Sequence, residues 1–335
     1  MNTVKRICGL LVGFVLFIAG LLKMMDPVGA GLQVEAYFRF LHLSALNPVS
    51  GAVAWLAALV ETSLGAAVLT GIWRRQVRWI VLGVLACFTL LTAVIWLFNP
   101  DMECGCFGEA VHFTHAQSLI KNVVLLCLWS VEFCPSADNP TPRKTKFVGF
   151  ALAVTSVTIL SFLSLANIPP VDYTSLKPGT ELAESGVSAL SIVNSDGEYC
   201  DSLLLDGRVI VISVNNPFRM DQDDWKSIES YASMVRECGF TPVTAVAGAS
   251  EEIPCNAFTA DRRALLTLNR SNGGAVYIAD SQVIQKWPSR SLPDRDDLIS
   301  IAEDKPMDTL IEASAPGRIR MQGFLLYVFA VMLLL

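Results

Sequence analysis

The stretch WIVLGVLACFTLLTAVIWLF, Trp79 to Phe98, runs for twenty residues without one charge. About twenty apolar residues is what a helix needs to cross roughly 30 Å of hydrocarbon, and a helix in a soluble core is shorter and keeps a polar face. Trp79 to Phe98 therefore reads as a membrane span, and similar runs lie on either side of it. Ile7 to Met25 carries only Lys23, Val49 to Trp73 only Glu61, Ala116 to Phe133 carries Lys121 and Glu132, and Phe147 to Ile168 has no charge. Five spans are expected. The whole chain agrees, since 335 residues that are 53% hydrophobic and 17% charged are too apolar for an ordinary soluble enzyme.

Charge divides the chain into unlike halves. Residues 1–167 carry a net +3, residues 168–317 a net −11, and Arg318 with Arg320 restores the overall −6. No dense basic stripe is present, which argues against a nucleic-acid partner. Cytoplasmic loops are enriched in Lys and Arg, and here the loops alternate. Lys5 and Arg6 precede the first run, Arg74, Arg75 and Arg78 follow the second, and Arg143, Lys144 and Lys146 follow the fourth. The loop between the third and fourth runs holds Asp101, Glu103 and Glu109 and no basic residue. The N-terminus is thus expected in the cytoplasm and everything after Ile168 outside. A cleaved signal peptide over the first 25 residues is disfavoured, because Lys23 stands where small residues belong.

The acidic loop contains Cys104-Gly-Cys106-Phe-Gly, and Thr114-His-Ala-Gln117 after it reads as a capping box opening the fourth helix. Thiols at i and i+2 reach disulfide range only through a tight turn, which Gly105 permits, and strained exposed bridges tend to be labile or catalytic. Three readings stay open: a redox pair, a static bridge or simple turn, and a metal site built from Cys104, Cys106, His112 and His115. Within the runs, charges are costly and are paired or functional. Glu61 and Lys121, approaching from the same side, are expected to interact as proton or charge partners. Lys23, near the end of its run, reads as an interfacial anchor, and Gly51, Gly65 and Gly71 as sites of close helix packing.

The segments Gly20-Leu-Leu-Lys23-Met-Met-Asp26-Pro27, Leu59-Val-Glu61-Thr-Ser-Leu-Gly65 and Cys104-Gly-Cys106-Phe-Gly108, with Thr114, Gln117, Lys121 and Asn122, resemble the methylamine utilisation protein MauE and the related DoxX-like family. The resemblance covers about 130 residues. It implies a four-helix membrane bundle similar to vitamin K epoxide reductase and a role in disulfide formation or maturation of exported proteins. By that analogy a quinone would accept electrons from the pair, although the reductase carries Cys-x-x-Cys and this chain Cys-x-Cys.

The second half alternates strand and helix patterns. Strands are expected at Gly186–Cys200, with a turn at Asp196-Gly197, at Arg208–Val214 and at Pro242–Ala247. A hairpin of 275–278 with 283–287 turns at Asp280-Ser281. Helices are expected at Trp225–Cys238 and Asp261–Asn269. This order resembles a thioredoxin-like domain of an exported oxidoreductase, but the segment between Val214 and Trp225 holds no cysteine. Cys238 and Cys255 flank one strand and are a conceivable structural bridge.

The expected architecture is a multi-pass α-helical membrane bundle of the MauE/DoxX-like type (1–134), then a cytoplasmic loop and fifth span (135–167). An α/β thioredoxin-like extracytoplasmic domain (168–317) and an apolar tail (318–335), half-inserted or the start of a sixth span, complete it. The expected function is a thiol-disulfide oxidoreductase or maturation factor of the bacterial inner membrane, acting through Cys104 and Cys106. Its partners are the lipid bilayer and the thiols of exported proteins. The alternative is a non-enzymatic scaffold whose redox-inert outer domain binds partner proteins.

Overall fold

The computed structural model describes residues 2–98, 100, 102, 105–131, 144–182, 190–248 and 257–334. The chain divides into two compact units, Met1–Phe162 with Gln322–Leu335, and Leu163–Met321.

The first unit is helical. Helix α1 (Asn2–Met25) ends at Asp26, whose carboxylate accepts from Gly29 N and opens α2 (Pro27–Phe40) with Pro27 at its first position. A 3₁₀ turn at Ser44–Val49 leads into α3 (Ser50–Thr70), which Gly71 terminates in the left-handed region. Helix α4 (Arg74–Phe98), a short extended segment β1 (Cys106–Glu109), α5 (His115–Ser130) and α6 (Lys144–Ala166) follow. Thr114 and Gln117 form the reciprocal capping box expected of them. Among the described residues, four helices are long and apolar enough to cross a membrane: Thr3–Met25, Ser44–Thr70, Arg74–Phe98 and Lys144–Ala166. Helix α5 stands where the fourth span, Ala116 to Phe133, is expected; its 16 residues cover about 24 Å of helix, and the end of the expected run lies outside the described residues.

Helices α1 and α3 touch through their backbones. A methyl group on Gly20 would lie 2.5 Å from Thr62 N and 2.8 Å from Ala58 O, and one on Gly65 would lie 2.6 Å from Phe17 Cα. Membrane helices associate by such van der Waals fit, since lipid supplies no hydrophobic drive between them. Of the glycines expected to pack closely, Gly65 does so, Gly71 is the helix cap, and a methyl on Gly51 would meet open space. Trp55 Nε1 donates to Ser161 Oγ at 3.0 Å and ties α6 to α3, while Trp129 Nε1 donates to Arg78 O at 3.0 Å and ties α5 to the start of α4.

The tail differs from a thirteen-residue apolar run. It is the end of α10 (Pro306–Leu334), a helix of 29 residues whose mixed first half a hydropathy reading passes over. From Gln322 onward it belongs to the helical unit, where Phe329 stacks on Phe14 and meets Phe17 edge-on.

The second unit is built on a five-stranded mixed sheet in the order β4-β3-β2-β5-β6. Its strands are β2 (Arg208–Val214), β3 (Thr241–Ala247), β4 (Phe258–Ala260), β5 (Gly274–Ala279) and β6 (Gln282–Trp287). Strands β2, β3 and β4 run parallel, and β5 and β6 run antiparallel to their neighbours. Alternation sends Val209 and Val211 of β2 to one face, with Leu265 and Leu268 of α8 (Arg262–Leu268). Ile210, Ile212 and Val214 go to the other, with Ile228 and Val235 of α7 (Gln222–Glu237) and Leu298 of α9 (Arg295–Glu303). The hairpin turns at Asp280 and Ser281, both at positive φ, as a two-residue primed turn requires. The strand expected at Gly186–Cys200 is not formed over its described part. Asn194 Oδ1 accepts from Asp196 N and Glu198 N, and Asp201 Oδ1 accepts from Ile192 N, so side chains take the place of a partner strand and leave bridges at Val193 alone.

A segment leading into this unit is fastened along β6. Gly179 N donates to Val283 O and Val283 N to Thr180 O, and Lys286 Nζ reaches Asp172 Oδ2 at 2.6 Å. Burial works against the charge on Asp172, but the Lys286 ammonium and the Thr174 N–H outweigh it and hold the carboxyl below its usual range. A depressed carboxyl contributes stability above its unfolded pKa and loses it as pH falls through the folded one.

Two outcomes follow. Gly65→Val should destabilise the chain by at least about 3 kcal/mol, the upper range for overpacking, whereas Gly83→Val, whose added methyl group meets open space, should leave the melting temperature in detergent unchanged. Asp172→Asn should cost on the order of 2 kcal/mol at pH 7, between exposed and buried pairs. Its deficit relative to wild type should shrink as pH drops below the ordinary carboxylate range, read by thermal melts at graded pH.

Candidate functional site: a charged cavity under the cysteine loop

Because α1 and α3 meet at Gly20, the next turn of α1 brings Lys23 against Glu61, which lies between Ala58 and Gly65 on α3. The ammonium donates to both carboxylate oxygens, at 2.7 and 2.9 Å. Glu61 is 3% exposed and Lys23 15%, so this is a buried, bidentate pair. Lys23 also lies 5.7 Å from the centre of the Phe88 ring.

The pair borders a cavity of about 80 Å³. Leu16 and Ala19 of α1, Leu85, Phe88 and Leu91 of α4 and Leu125 of α5 give it apolar walls. Polar groups enter from every side: Tyr37 of α2, Thr92 of α4, Lys121 and Asn122 of α5, and Gly105 and Cys106 of the loop. Asn122 Nδ2 donates to Thr92 Oγ1 at 3.1 Å, which satisfies a buried amide inside the bundle. Lys121 Nζ stands 4.9 Å from the centre of the Phe107 ring.

Gly105 is held from below. Its N–H donates to the Tyr37 hydroxyl at 3.1 Å, and a methyl group there would collide with the Gln33 side chain. Gln33 and Tyr37 stand one turn apart on α2, so this helix grips the residue between the two cysteines. His115 Nε2 lies 3.1 Å from Pro100 O, which fastens the start of the loop to α5.

Five of the site residues expected from the sequence can be placed. Cys106, Glu61 and Lys121 line one cavity, and His115 is engaged with the backbone. The expected contact between Glu61 and Lys121 is replaced by Glu61 with Lys23. Lys23, expected as an anchor near the end of its run, instead packs into the bundle against Glu61, and Asp26-Pro27 starts α2 directly after it. Cys104 lies outside the described residues. Among those described, no three His, Cys, Asp or Glu side chains gather as a metal site. His112 borders a separate, open pocket with Trp96, Met102 and His115. Sequence reasoning passed over Gln33, Tyr37 and Thr92. The signal for the first two was their spacing of four on a helix opened by Asp26-Pro27.

In the outer unit, the segment between β2 and α7 is closed by amides. Asn216 N donates to Asn272 Oδ1 at 2.8 Å, and Asn272 Nδ2 returns a bond to Asn216 O at 3.1 Å. Asp221 and Asp224 form the capping box of α7. Cys238 caps the end of α7, Cys200 Sγ faces Glu198 O, and the conceivable Cys238–Cys255 bridge lies outside the described residues.

An apolar helical bundle with a buried ion pair beside a cysteine-bearing loop defines the class, a multi-helix membrane protein with a buried polar site. Residues 1–134 match the family model described as Methylamine utilisation protein MauE, and the resemblance seen in the sequence is shown for that segment. No curated protein and no solved structure matches the chain.

Removing one partner of a buried pair strands the other charge. Lys23→Met and Glu61→Gln should each destabilise the protein by about 3 kcal/mol or more, and the double variant should recover most of that loss. Melting temperatures of the three variants in one detergent check this. A double variant no better than either single one would show that the two side chains act separately.

Proposed function

We propose that the protein is a thiol-disulfide exchange factor of the bacterial inner membrane, in which Cys104 and Cys106 form the reactive pair. The observation that carries this reading is the placement of Gly105 and Cys106 over a cavity that holds Lys23, Glu61 and Lys121. A loop serving only as a connection has no need of a buried charge cluster beneath it, since charges in hydrocarbon are costly. The alternating Lys/Arg loops support an N-terminus in the cytoplasm and a cysteine loop on the outer face, where thiols of exported proteins are met.

The outer unit supports a thioredoxin-like reading through its central β2, flanked by parallel β3 and antiparallel β5, with helices on both faces. In that reading the Asn216–Asn272 clasp occupies the place of the usual dithiol, and the unit recognises or presents partners. A quinone, implied by the likeness to vitamin K epoxide reductase, does not fit the cavity. Its volume of about 80 Å³ is well below the roughly 150 Å³ of an apolar cavity that takes up benzene, and no step is routed through one.

A Cys106→Ser variant leaves Cys104 without its resolving partner and should accumulate mixed disulfides with exported proteins, seen as reducible adducts on non-reducing gels. A scaffold tolerates Ser at both positions and forms none. Absence of adducts, with full complementation by the Cys104→Ser, Cys106→Ser double variant, would overturn the proposal in favour of the scaffold.

A further inference from the structure

The last part of α10 is apolar on more than one side. Met321, Val328 and Met332, spaced by seven and four, are buried, which sets one face of the helix against protein. Leu326 and Leu333 stand on another face, 74% and 63% exposed, and no charged residue occurs in 323–334. A helix on the surface of a soluble domain carries polar side chains on its outer face, and a helix lying along a membrane interface has a charged one. This stretch has neither.

Its contacts give it a direction. At the last turn Lys146 Nζ, on the third residue of α6, donates to Leu333 O at 3.4 Å, where helix carbonyls lack partners and a cation is favoured. One turn earlier Phe329 stacks on Phe14 of α1 with ring centres 5.5 Å apart and meets Phe17 at 5.7 Å. Further back, a methyl group on Gly317 would lie 2.5 Å from Pro170 O, just past the end of α6 at Ala166. So Leu333 is beside the start of α6 and Gly317 beside the chain leaving it, which is the antiparallel arrangement. Helix α6 is itself long and apolar enough to cross a membrane. The step from Gly317 to Leu333 rises about 24 Å, and residues 315–334 rise about 30 Å, the thickness of the hydrocarbon layer. The two arginines of that stretch, at 318 and 320, fall in its first turns. From that depth a long basic side chain reaches the headgroups.

We propose that residues 315–334 of α10 form a further membrane-spanning helix, antiparallel to α6, with lipid hydrocarbon as the partner of its Leu326 and Leu333 face. The second unit is then tied into the bilayer at both of its ends, by α6 where it begins and by α10 where it finishes. The chain beyond Leu333 returns to the side on which α6 starts. A single tether lets a domain turn about it, and two tethers do not.

The test uses the full-length protein in cell membranes. One version carries an epitope tag after Leu335, a second carries it within the exposed turn at Asp196-Gly197, and a third before Met1. Antibody binding to spheroplasts, before and after permeabilisation, reads the side of each tag. The tag at 196–197 and the tag after Leu335 should lie on opposite sides, one bound before permeabilisation and the other only after it. Both bound before, or both only after, would overturn the crossing. Should the inserted tag disturb the second unit, an impermeant maleimide on Cys200 or Cys238, located by mass spectrometry, gives the side of that unit in the protein tagged only after Leu335. The tag before Met1 should share the side of the tag after Leu335. Its binding before permeabilisation would overturn the cytoplasmic N-terminus on which the proposed function rests, while the crossing of α10 is still decided by the other two tags.

Discussion

The helical unit depends on one contact, the backbone approach of α1 to α3 at Gly20 and Gly65. No side chain fits between Gly20 and the Ala58–Thr62 turn, so the helices are fixed in register as well as in distance. That register sets Lys23 opposite Glu61, and the ion pair in turn holds two helices that lipid alone would not press together. The pair is a weak contributor to stability in itself, because desolvation offsets much of the attraction, but it penalises any packing that separates the charges. The cavity above it is the space left where Phe88, Leu91 and Lys121 reach around the pair from α4 and α5.

Helix α2 carries this order to the cysteine loop. It begins at Asp26-Pro27, immediately after the turn that holds Lys23, and three of its residues separate Gln33 from Tyr37, which close on Gly105. The geometry of the loop is therefore tied to the same close contact through one short helix. The second unit reaches rigidity by other means. Its sheet is buried on both faces, its helices start at Asp221, Asp261 and Asp294, and paired Asn side chains seal the end of β2.

Much of this was legible in the chain. Uncharged runs such as Trp79 to Phe98 announce membrane helices, the Thr114–Gln117 box marks the start of α5, and the β-branched run from Val209 to Val214 can only be a strand covered on both sides. The MauE likeness rested on short motifs whose residues now line one cavity. Partner choice was the part that hydropathy could not supply. Counting residues from the ends of runs brought Glu61 and Lys121 in from the same side and put Lys23 at a surface, because the count assumes that a run ends where the membrane does. Helix α2 follows α1 without a loop, so Lys23 stays inside. The same assumption hid α10, whose mixed sequence from Pro306 has no long apolar stretch before Gly323, about three turns from its end. At Gly186–Cys200 the strand pattern was outweighed by Asn194 and Asp201, which satisfy the backbone locally.

The account stands on Cys104 and Cys106 being a redox couple. The most direct measurement is a redox titration of the full-length protein against glutathione buffers of graded potential, with each thiol's state read by mass spectrometry. The account predicts one two-electron transition confined to the peptide bearing Cys104 and Cys106, within the range of known dithiol oxidoreductases. Thiols that stay reduced across the whole range, or a transition that appears only at Cys200 or Cys238, would contradict it.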